Sequence, residues 1–146
     1  MGHNALVFCG SGILEWVAAN EILSNYPEKG TYFRVTDLTD RPRTREKSLW
    51  PESTTAVPAL SILSGIDLTS GTVEDTMERL KERVPDIQTV GHFFYYAYKF
   101  HPGFPTETEI DLQMSRTGFG ALEALAPKIS YVVFPTGPKM DRPESV

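Results

Sequence analysis

A glycine-containing turn near the amino terminus constrains the fold of this chain more than any other feature. An apolar run at residues 4–8 leads into Cys9-Gly-Ser-Gly12, and apolar residues then recur at helical spacing from Ile13 to about Tyr26. An apolar run that enters a glycine turn is typical of a buried strand. The pattern therefore predicts a strand–turn–helix unit, in which the helix starts at the carboxyl end of the strand.

The remainder of the chain alternates the same two kinds of element. The predicted strands are residues 32–36, 59–63, 87–96 and 129–134. One predicted helix opens at Thr72, and another covers residues 107–125. Thr72 is the expected N-cap of its helix, with Asp75 in the first turn. Residues 39–58 contain three prolines and cannot hold a long helix. This alternation predicts an α/β fold, a Rossmann-like doubly wound parallel sheet of about five strands with right-handed crossovers.

Composition and charge exclude several classes of protein. The 146 residues are 40% hydrophobic and 23% charged, as in an ordinary globular domain. The formal charge of −5 disfavours nucleic acid as a partner, because an acidic surface repels phosphates. No stretch approaches 18 apolar residues, so no transmembrane helix is predicted. We expect a cytoplasmic protein.

Cysteine and histidine usage gives no indication of a metal site. Cys9 is the only cysteine, which excludes an internal disulfide and a thiolate cluster. His3, His92 and His101 lack metal-ligand spacing, and His92 is expected to be a structural histidine. We expect the protein to hold no metal.

The first strand-to-helix turn is the expected ligand site. Open parallel sheets bind ligands outside the carboxyl ends of their strands, near the point where the strand order reverses. Gly10 and Gly12 match the first two glycines of the dinucleotide-binding fingerprint G-x-G-x-x-G, and Glu15 occupies the third position. The turn therefore favours a dinucleotide as the ligand.

Several segments of the chain together resemble one family. They are residues 5–13, 38–42, 48–51, 64–68 and 92–95, followed by Thr136-Gly137 and Lys139. In this order, and over nearly the whole chain, they resemble the PRISE-like branch of the extended short-chain dehydrogenases. That branch includes progesterone 5β-reductase, iridoid synthase and fungal relatives. The resemblance implies an NADPH-dependent reductase that acts on an enone or a related carbonyl compound.

The resemblance also implies roles for individual residues. The cofactor pyrophosphate would lie on the backbone of Gly10, Ser11, Gly12 and Ile13. Arg41 would approach the 2′-phosphate of NADPH, and Asp67 with Leu68 would border the adenine. Tyr95, Tyr96 and Ala97 would line the nicotinamide side of the cleft, and Thr136 is also expected to bind the cofactor. Lys139 falls at the family's catalytic lysine, which holds the cofactor ribose and lowers the pKa of a catalytic tyrosine.

Departures from the family pattern limit these expectations. Cys9 and Glu15 stand where the family has glycines, and the carboxylate of Glu15 would repel a pyrophosphate, so cofactor binding is expected to be weakened or lost. Asp37 and Asp40 near the end of the second strand would favour NAD, whereas Arg41 favours NADP. We expect NADP, with NAD as the alternative.

The carboxyl-terminal part of the chain leaves the function open. The family's catalytic tyrosine follows the lysine, whereas this sequence ends seven residues after Lys139, so we expect an incomplete fold without the substrate region. Residues 1–137 are expected to form the NAD(P)-binding domain, and residues 138–146 a tail or linker. The chain is then a truncated reductase, a non-catalytic degenerate Rossmann domain with a binding role, or an enzyme completed by a partner chain.

Two clusters of side chains receive ordinary structural interpretations. The aromatic run at residues 93–96 is explained by alternating burial on the two faces of a sheet. Glu107, Glu109 and Asp111 are interpreted as one solvated face of a helix.

Overall fold

The computed structural model describes residues 2–9, 13–25, 32–39 and 59–135. The strands in these ranges are β1 (His3–Cys9), β2 (Tyr32–Thr39), β3 (Ala59–Ser64), β4 (Val90–Tyr96) and β5 (Tyr131–Val133). The α-helices are α1 (Ile13–Asn25), α2 (Val73–Arg83) and α3 (Phe104–Leu125). The five strands form one sheet in the order β3-β2-β1-β4-β5, and every neighbouring pair is parallel. The predicted doubly wound α/β fold is confirmed.

β1 occupies the centre of the sheet because its residues are apolar enough to be buried on both faces. Residues 4–8 are all buried, and β2 and β4 pair with the two sides of the strand. A near-continuous apolar run is what a parallel strand covered by helices requires. The polar Asn4 is also buried, and its side-chain nitrogen donates to the Thr89 hydroxyl at 3.1 Å.

The two faces of the sheet carry different cores. Leu6, Phe8, Phe93 and Tyr95 belong to a cluster that α2 and α3 cover. The intervening residues of the same strands, among them Val7 and Phe94, form a smaller cluster with side chains of α1. Tyr96 packs against this smaller cluster. Successive side chains of a strand point to opposite faces, so the aromatic run of β4 is divided between the two cores. The sequence interpretation of residues 93–96 is confirmed.

Helix ends follow the local signals, with some differences in extent. Thr72 caps α2: its hydroxyl accepts from the Asp75 N–H, and the Asp75 carboxylate accepts from the Thr72 N–H. The predicted start of α3 at residue 107 is wrong, because Pro105 is tolerated in a first helical turn and the helix begins at Phe104.

The start of the fourth strand also differs from the prediction. Residues 87–89 form a short 3₁₀ helix instead of strand, and β4 begins at Val90. The backbone of Asp86 is left-handed, with φ of 51°, which interrupts an extended run immediately before the buried Ile87.

Some predictions fall outside the described residues, among them the domain boundary at residues 137/138, the tail at 138–146 and most of the proline-containing segment. The described part of the chain holds no helix that combines the length and apolar character needed to span a bilayer. Within the same ranges no three His, Cys, Asp or Glu side chains are grouped as a metal site would require.

Candidate functional site

The carboxyl ends of four strands meet at one edge of the sheet, which we call the carboxyl edge. Cys9 of β1 pairs with Thr39 of β2 and with Tyr96 of β4, and Thr39 pairs with Ser64 of β3. The chain crosses from β1 through α1 to β2 on one side, whereas β4 lies on the other side of β1. This reversal is the topological switch point, where open α/β sheets bind their ligands.

Several predicted site residues lie outside the described residues: Gly10, Ser11, Gly12, Arg41, Thr136 and Lys139. They follow the ends of β1, β2 and β5 in the chain. Ile13 is the first residue of α1. The described parts of the site are therefore the segments that follow β3 and β4, namely the β3–α2 loop (residues 65–72) and the β4–α3 loop (residues 97–103).

The β3–α2 loop returns to the sheet through a left-handed glycine. Gly65 has a φ of +82°, a conformation that costs a residue with a Cβ. This turn allows the Ile66 N–H to donate to the Thr39 carbonyl oxygen at 3.1 Å, which ties the loop to the end of β2.

The carboxylate of Asp67 organises the next part of this loop. Its Oδ1 accepts from the Thr69 hydroxyl at 2.6 Å and from the Thr69 N–H at 2.8 Å. The Thr69 hydroxyl, and to a lesser extent the Thr69 N–H, therefore hold the pKa of Asp67 below its usual value against the opposing effect of burial. Lys99 and Arg79 lower this pKa further through their charges. Both bonds from Thr69 use Oδ1, so Oδ2 is the oxygen that can accept from a ligand.

Leu68 anchors the same loop in the core that α2 and α3 cover. Its side chain is 3% exposed, and α3 approaches it closely at Gly118. A Cβ on Gly118 would lie 3.5 Å from Leu68 Cδ1 and 3.3 Å from Tyr95 Cε2. The glycine thus lets α3 close over the loop and over the end of β4 together.

Tyr95 lies in the core beneath the carboxyl edge. It is 2% exposed, its ring stacks on Phe134 at 5.4 Å between centroids, and it contacts Phe119 at 5.3 Å. Burial, with a contribution from the charge of Asp111, raises the pKa of Tyr95 well above its usual value. Its hydroxyl is therefore neutral at ordinary pH, and it has no hydrogen-bond partner among the described residues.

The three residues predicted to line one side of the cofactor occupy different environments. Tyr95 faces α3, Tyr96 packs on the opposite core with α1, and Ala97 follows the strand and packs partly against the first core. The structure therefore brings Ala97 and Tyr96 to the carboxyl edge beside the end of β1, and it places Tyr95 below them. Sheet alternation requires this division.

The interpretation of Glu107, Glu109 and Asp111 as one solvated face is wrong. Glu107 is 5% exposed and Asp111 is half-buried, whereas Glu109 is exposed. Positions four apart share a helix face, and Glu109 points about 200° away from Glu107. Glu107 and Asp111 accept hydrogen bonds from the β4–α3 loop. The i, i+4 spacing of the two carboxylates was the available signal.

Asp37 does not lie at the exposed end of β2. The strand continues to Thr39, and Asp37 is fully buried. It shares the α1 face with Val35, since the two residues are separated by one strand period. The predicted end of β2 at residue 36 was too early, and this error placed Asp37 at the carboxyl edge.

His92 belongs to a ring cluster at the amino ends of the strands, remote from this site. Its Nδ1 is 2.8 Å from the Tyr32 hydroxyl, and its ring stacks on His3 at 4.0 Å between centroids. Burial and the neighbouring His3 lower the pKa of His92, so its neutral form is favoured. The expectation of a structural histidine is confirmed.

Comparison with known proteins identifies a family for most of the chain. Residues 5–142 match the model of the PRISE-like Rossmann-fold domain. The short chain dehydrogenase ausT of Aspergillus calidoustus is 34% identical over 137 residues, which cover 91% of this chain and 32% of that protein.

Two proteins of Leptosphaeria maculans show similar relationships. The short chain dehydrogenase sirQ is 30% identical over 138 residues, covering 91% of this chain and 33% of that protein. The short chain dehydrogenase sirR is 29% identical over 138 residues, covering 92% and 32% respectively. The chain spans about a third of the length of the curated relatives it matches.

Proposed function

The chain belongs to the family of PRISE-like Rossmann-fold domains, and we propose from that premise that it binds NADP(H) for the reduction of an enone or a related carbonyl compound. The observation that supports this most strongly is the carboxyl edge itself. β1 and β4 lie side by side there, with the β3–α2 loop at one end. A bound nicotinamide cofactor supplies a hydride, and the residues of this chain would hold the cofactor in place.

The adenine end of the cofactor fits the β3–α2 loop. Asp67 has one carboxylate oxygen engaged by Thr69, and its other oxygen can accept from the amino group of the adenine. The lowered pKa of Asp67 keeps it in the accepting, ionised form. Leu68 fixes the loop in the core, so the acceptor is held before the ligand arrives.

The pyrophosphate fits the start of α1. The glycine turn that would carry it, Gly10, Ser11 and Gly12, lies between the end of β1 and Ile13. A helix of 13 residues presents free N–H groups and the positive end of its dipole at its first turn, which favours a phosphate.

The nicotinamide end would then lie over β4. Ala97 and Tyr96 are the described residues at that end of the edge, and Tyr95 closes the floor below them. Thr136 and Lys139 follow β5, the strand beside β4. In the proposed site Lys139 would donate to the cofactor ribose, which is the role that the resemblance implies for it.

The burial of Asp37 removes one of the two acidic residues that would favour NAD, whereas Asp40, the other, lies outside the described residues. A carboxylate at the end of β2 normally accepts from the ribose 2′-hydroxyl, and it would repel a 2′-phosphate. Asp37 is fully buried within β2 and is not presented there. Arg41, which follows the strand, would pair with the phosphate in NADPH.

Calorimetric titration of the chain with NADPH and NADH tests this proposal. We expect NADPH to bind more tightly, and Arg41→Ala to remove most of that preference. Arg45→Ala, in the same basic stretch, is the matched control and is expected to change nothing. Absence of binding of both nucleotides would contradict the proposed function.

A second candidate, a non-catalytic binding domain, is favoured by Cys9 and Glu15, which stand where the family has glycines. This candidate predicts that the unmodified chain fails to bind NADPH, while Glu15→Gly restores binding by relieving the charge repulsion. If the unmodified chain binds NADPH and reduces an enone, the second candidate is wrong.

A further inference from the structure

The β4–α3 loop is held by two carboxylates that project from the start of the following helix. Glu107 lies in the first turn of α3, and Asp111 follows it by four residues. Side chains with this spacing are neighbours on one helix face. Both face the loop, so the first two turns of α3 act as a fixed support for residues 97–103.

The two carboxylates of this support accept hydrogen bonds from three residues of the loop. The Tyr98 hydroxyl donates to Glu107 Oε1, and the His101 N–H donates to Glu107 Oε2 at 3.3 Å. The Lys99 N–H donates to Asp111 Oδ1 at 3.1 Å. Two of the three donors are backbone groups, so the bonds fix the path of the main chain as well as one side chain.

Glu107 is the more deeply buried of the two carboxylates and therefore depends more on its hydrogen bonds. It is 5% exposed, and a buried carboxylate is tolerated only when its oxygens receive hydrogen bonds. Both oxygens are engaged by the loop. Displacement of the loop would leave a buried charge with weaker compensation, so the charge favours the observed loop conformation over alternatives.

We propose that Glu107 is a positioning residue for the nicotinamide half of the cofactor, and that Asp111 assists it. This inference rests on the proposed function. The loop starts at Ala97, directly after Tyr96, which pairs with Cys9 at the start of the glycine turn. The loop is therefore a wall of the switch-point crevice on the side away from the β3–α2 loop. Glu107 acts through the loop and touches no reacting group.

The test compares Glu107→Gln with Glu109→Gln, which removes the same charge from an exposed position on the same helix. Tyr98→Phe is the milder variant, because it deletes one donor and leaves Glu107 in place. Each protein is titrated with NADPH and with 2′,5′-ADP, which carries only the adenine half. Hydrogen exchange of the Lys99 and His101 amides reports on the loop directly.

For Glu107→Gln we expect NADPH to bind about tenfold more weakly, the effect of one lost charge-assisted hydrogen bond. Binding of 2′,5′-ADP should be unchanged, and the two loop amides should exchange faster. Tyr98→Phe should give a smaller loss in the same direction, and Glu109→Gln should give none. If Glu107→Gln instead weakened the binding of NADPH and of 2′,5′-ADP equally, the cause would be a general loss of stability, and the proposal would be overturned.

Two further outcomes separate this inference from the proposed function. If Glu107→Gln accelerates exchange but leaves NADPH affinity unchanged, the positioning role is wrong while cofactor binding stands. If the unmodified chain binds neither NADPH nor 2′,5′-ADP, the proposed function is wrong, and the positioning role falls with it. The exchange comparison then still shows whether Glu107 holds the loop.

Discussion

The β3–α2 and β4–α3 loops leave the same edge of the sheet, but the carboxylates that hold them find their partners at different distances along the chain. In the β3–α2 loop Asp67 bonds to Thr69, and Thr72 exchanges bonds with Asp75, so the partners are two or three residues apart. In the β4–α3 loop the partners of Glu107 and Asp111 lie 6 to 12 residues away.

Burial reinforces the contrast between the two loops. The β3–α2 loop inserts Leu68 into the core, with 3% of its side chain exposed, whereas Phe100 of the β4–α3 loop is 71% exposed. The first loop is therefore held by apolar burial as well as by short-range bonds. The second depends on two carboxylates, which makes it the easier one to displace without unfolding the protein.

Truncation of the buried leucine should give the largest effect. We expect Leu68→Ala to lower the free energy of unfolding by about 3 kcal/mol, because it removes buried methyl groups and leaves a cavity. Phe100→Ala is the matched change in the other loop and should alter stability by less than about 0.5 kcal/mol. Urea denaturation measures both, and equal effects would remove the contrast between the loops.

Overpacking at Gly118 should disturb both loops together. Its absent Cβ leaves room for Leu68 of one loop and for Tyr95, which precedes the other. We expect Gly118→Val to cost about 2 kcal/mol by forcing these neighbours apart. Near-ultraviolet circular dichroism should show the movement of Tyr95. An unchanged spectrum would indicate that α3 shifts as a whole.

Loss of the capping box should affect the first loop alone. Thr72→Ala removes the hydroxyl that accepts from Asp75 and should cost about 1 kcal/mol. Amide exchange should accelerate at the start of α2 and remain unchanged at Lys99 and His101. Thr106→Ala, an exposed threonine near the start of α3, provides the control. Faster exchange in the β4–α3 loop would show that the two loops are coupled.

The β3–α2 loop should weaken in acid. The pKa of Asp67 is lowered chiefly by the Thr69 hydroxyl, so its contribution to stability is present above the unfolded value of 3.8. That contribution is lost as pH falls through the lower folded pKa. In Asp67→Asn, the midpoint of urea denaturation should therefore fall less steeply as the pH is lowered than it does in the unmodified chain. Glu74→Gln, an exposed change, should leave this pH dependence unaltered.

The β4–α3 loop should weaken at the opposite end of the pH scale. The hydrogen bond to Glu107 raises the pKa of Tyr98 from 10.0 to about 12. The protonated tyrosine therefore contributes stability below pH 10 that is lost as pH rises toward 12. The difference between the 295 nm titrations of the unmodified chain and Tyr98→Phe isolates this group. A midpoint near 10 in that difference would contradict a strong bond to Glu107.

Much of the fold could be predicted from short-range patterns. Apolar runs, helical spacing and the Thr72 cap are properties of neighbouring residues, and the alternating order of elements restricts the sheet to a few topologies. Errors occurred at boundaries, where Pro105 and the left-handed Asp86 altered the ends of predicted elements. The location of the site was predicted from the glycine turn, and the roles of its residues from the resemblance to the family. Those roles stay predictions.

The sequence by itself determined the alternating order of strands and helices along the chain and the Thr72 cap of α2, because each depends on residues close along the chain. Only the tertiary structure decided that Asp37 is buried, that Tyr95 and Tyr96 face opposite cores, and that Glu107 receives the β4–α3 loop. These outcomes depend on how far β2 extends and on how α3 lies against β4. Contacts between distant elements set both, and local propensity cannot specify them.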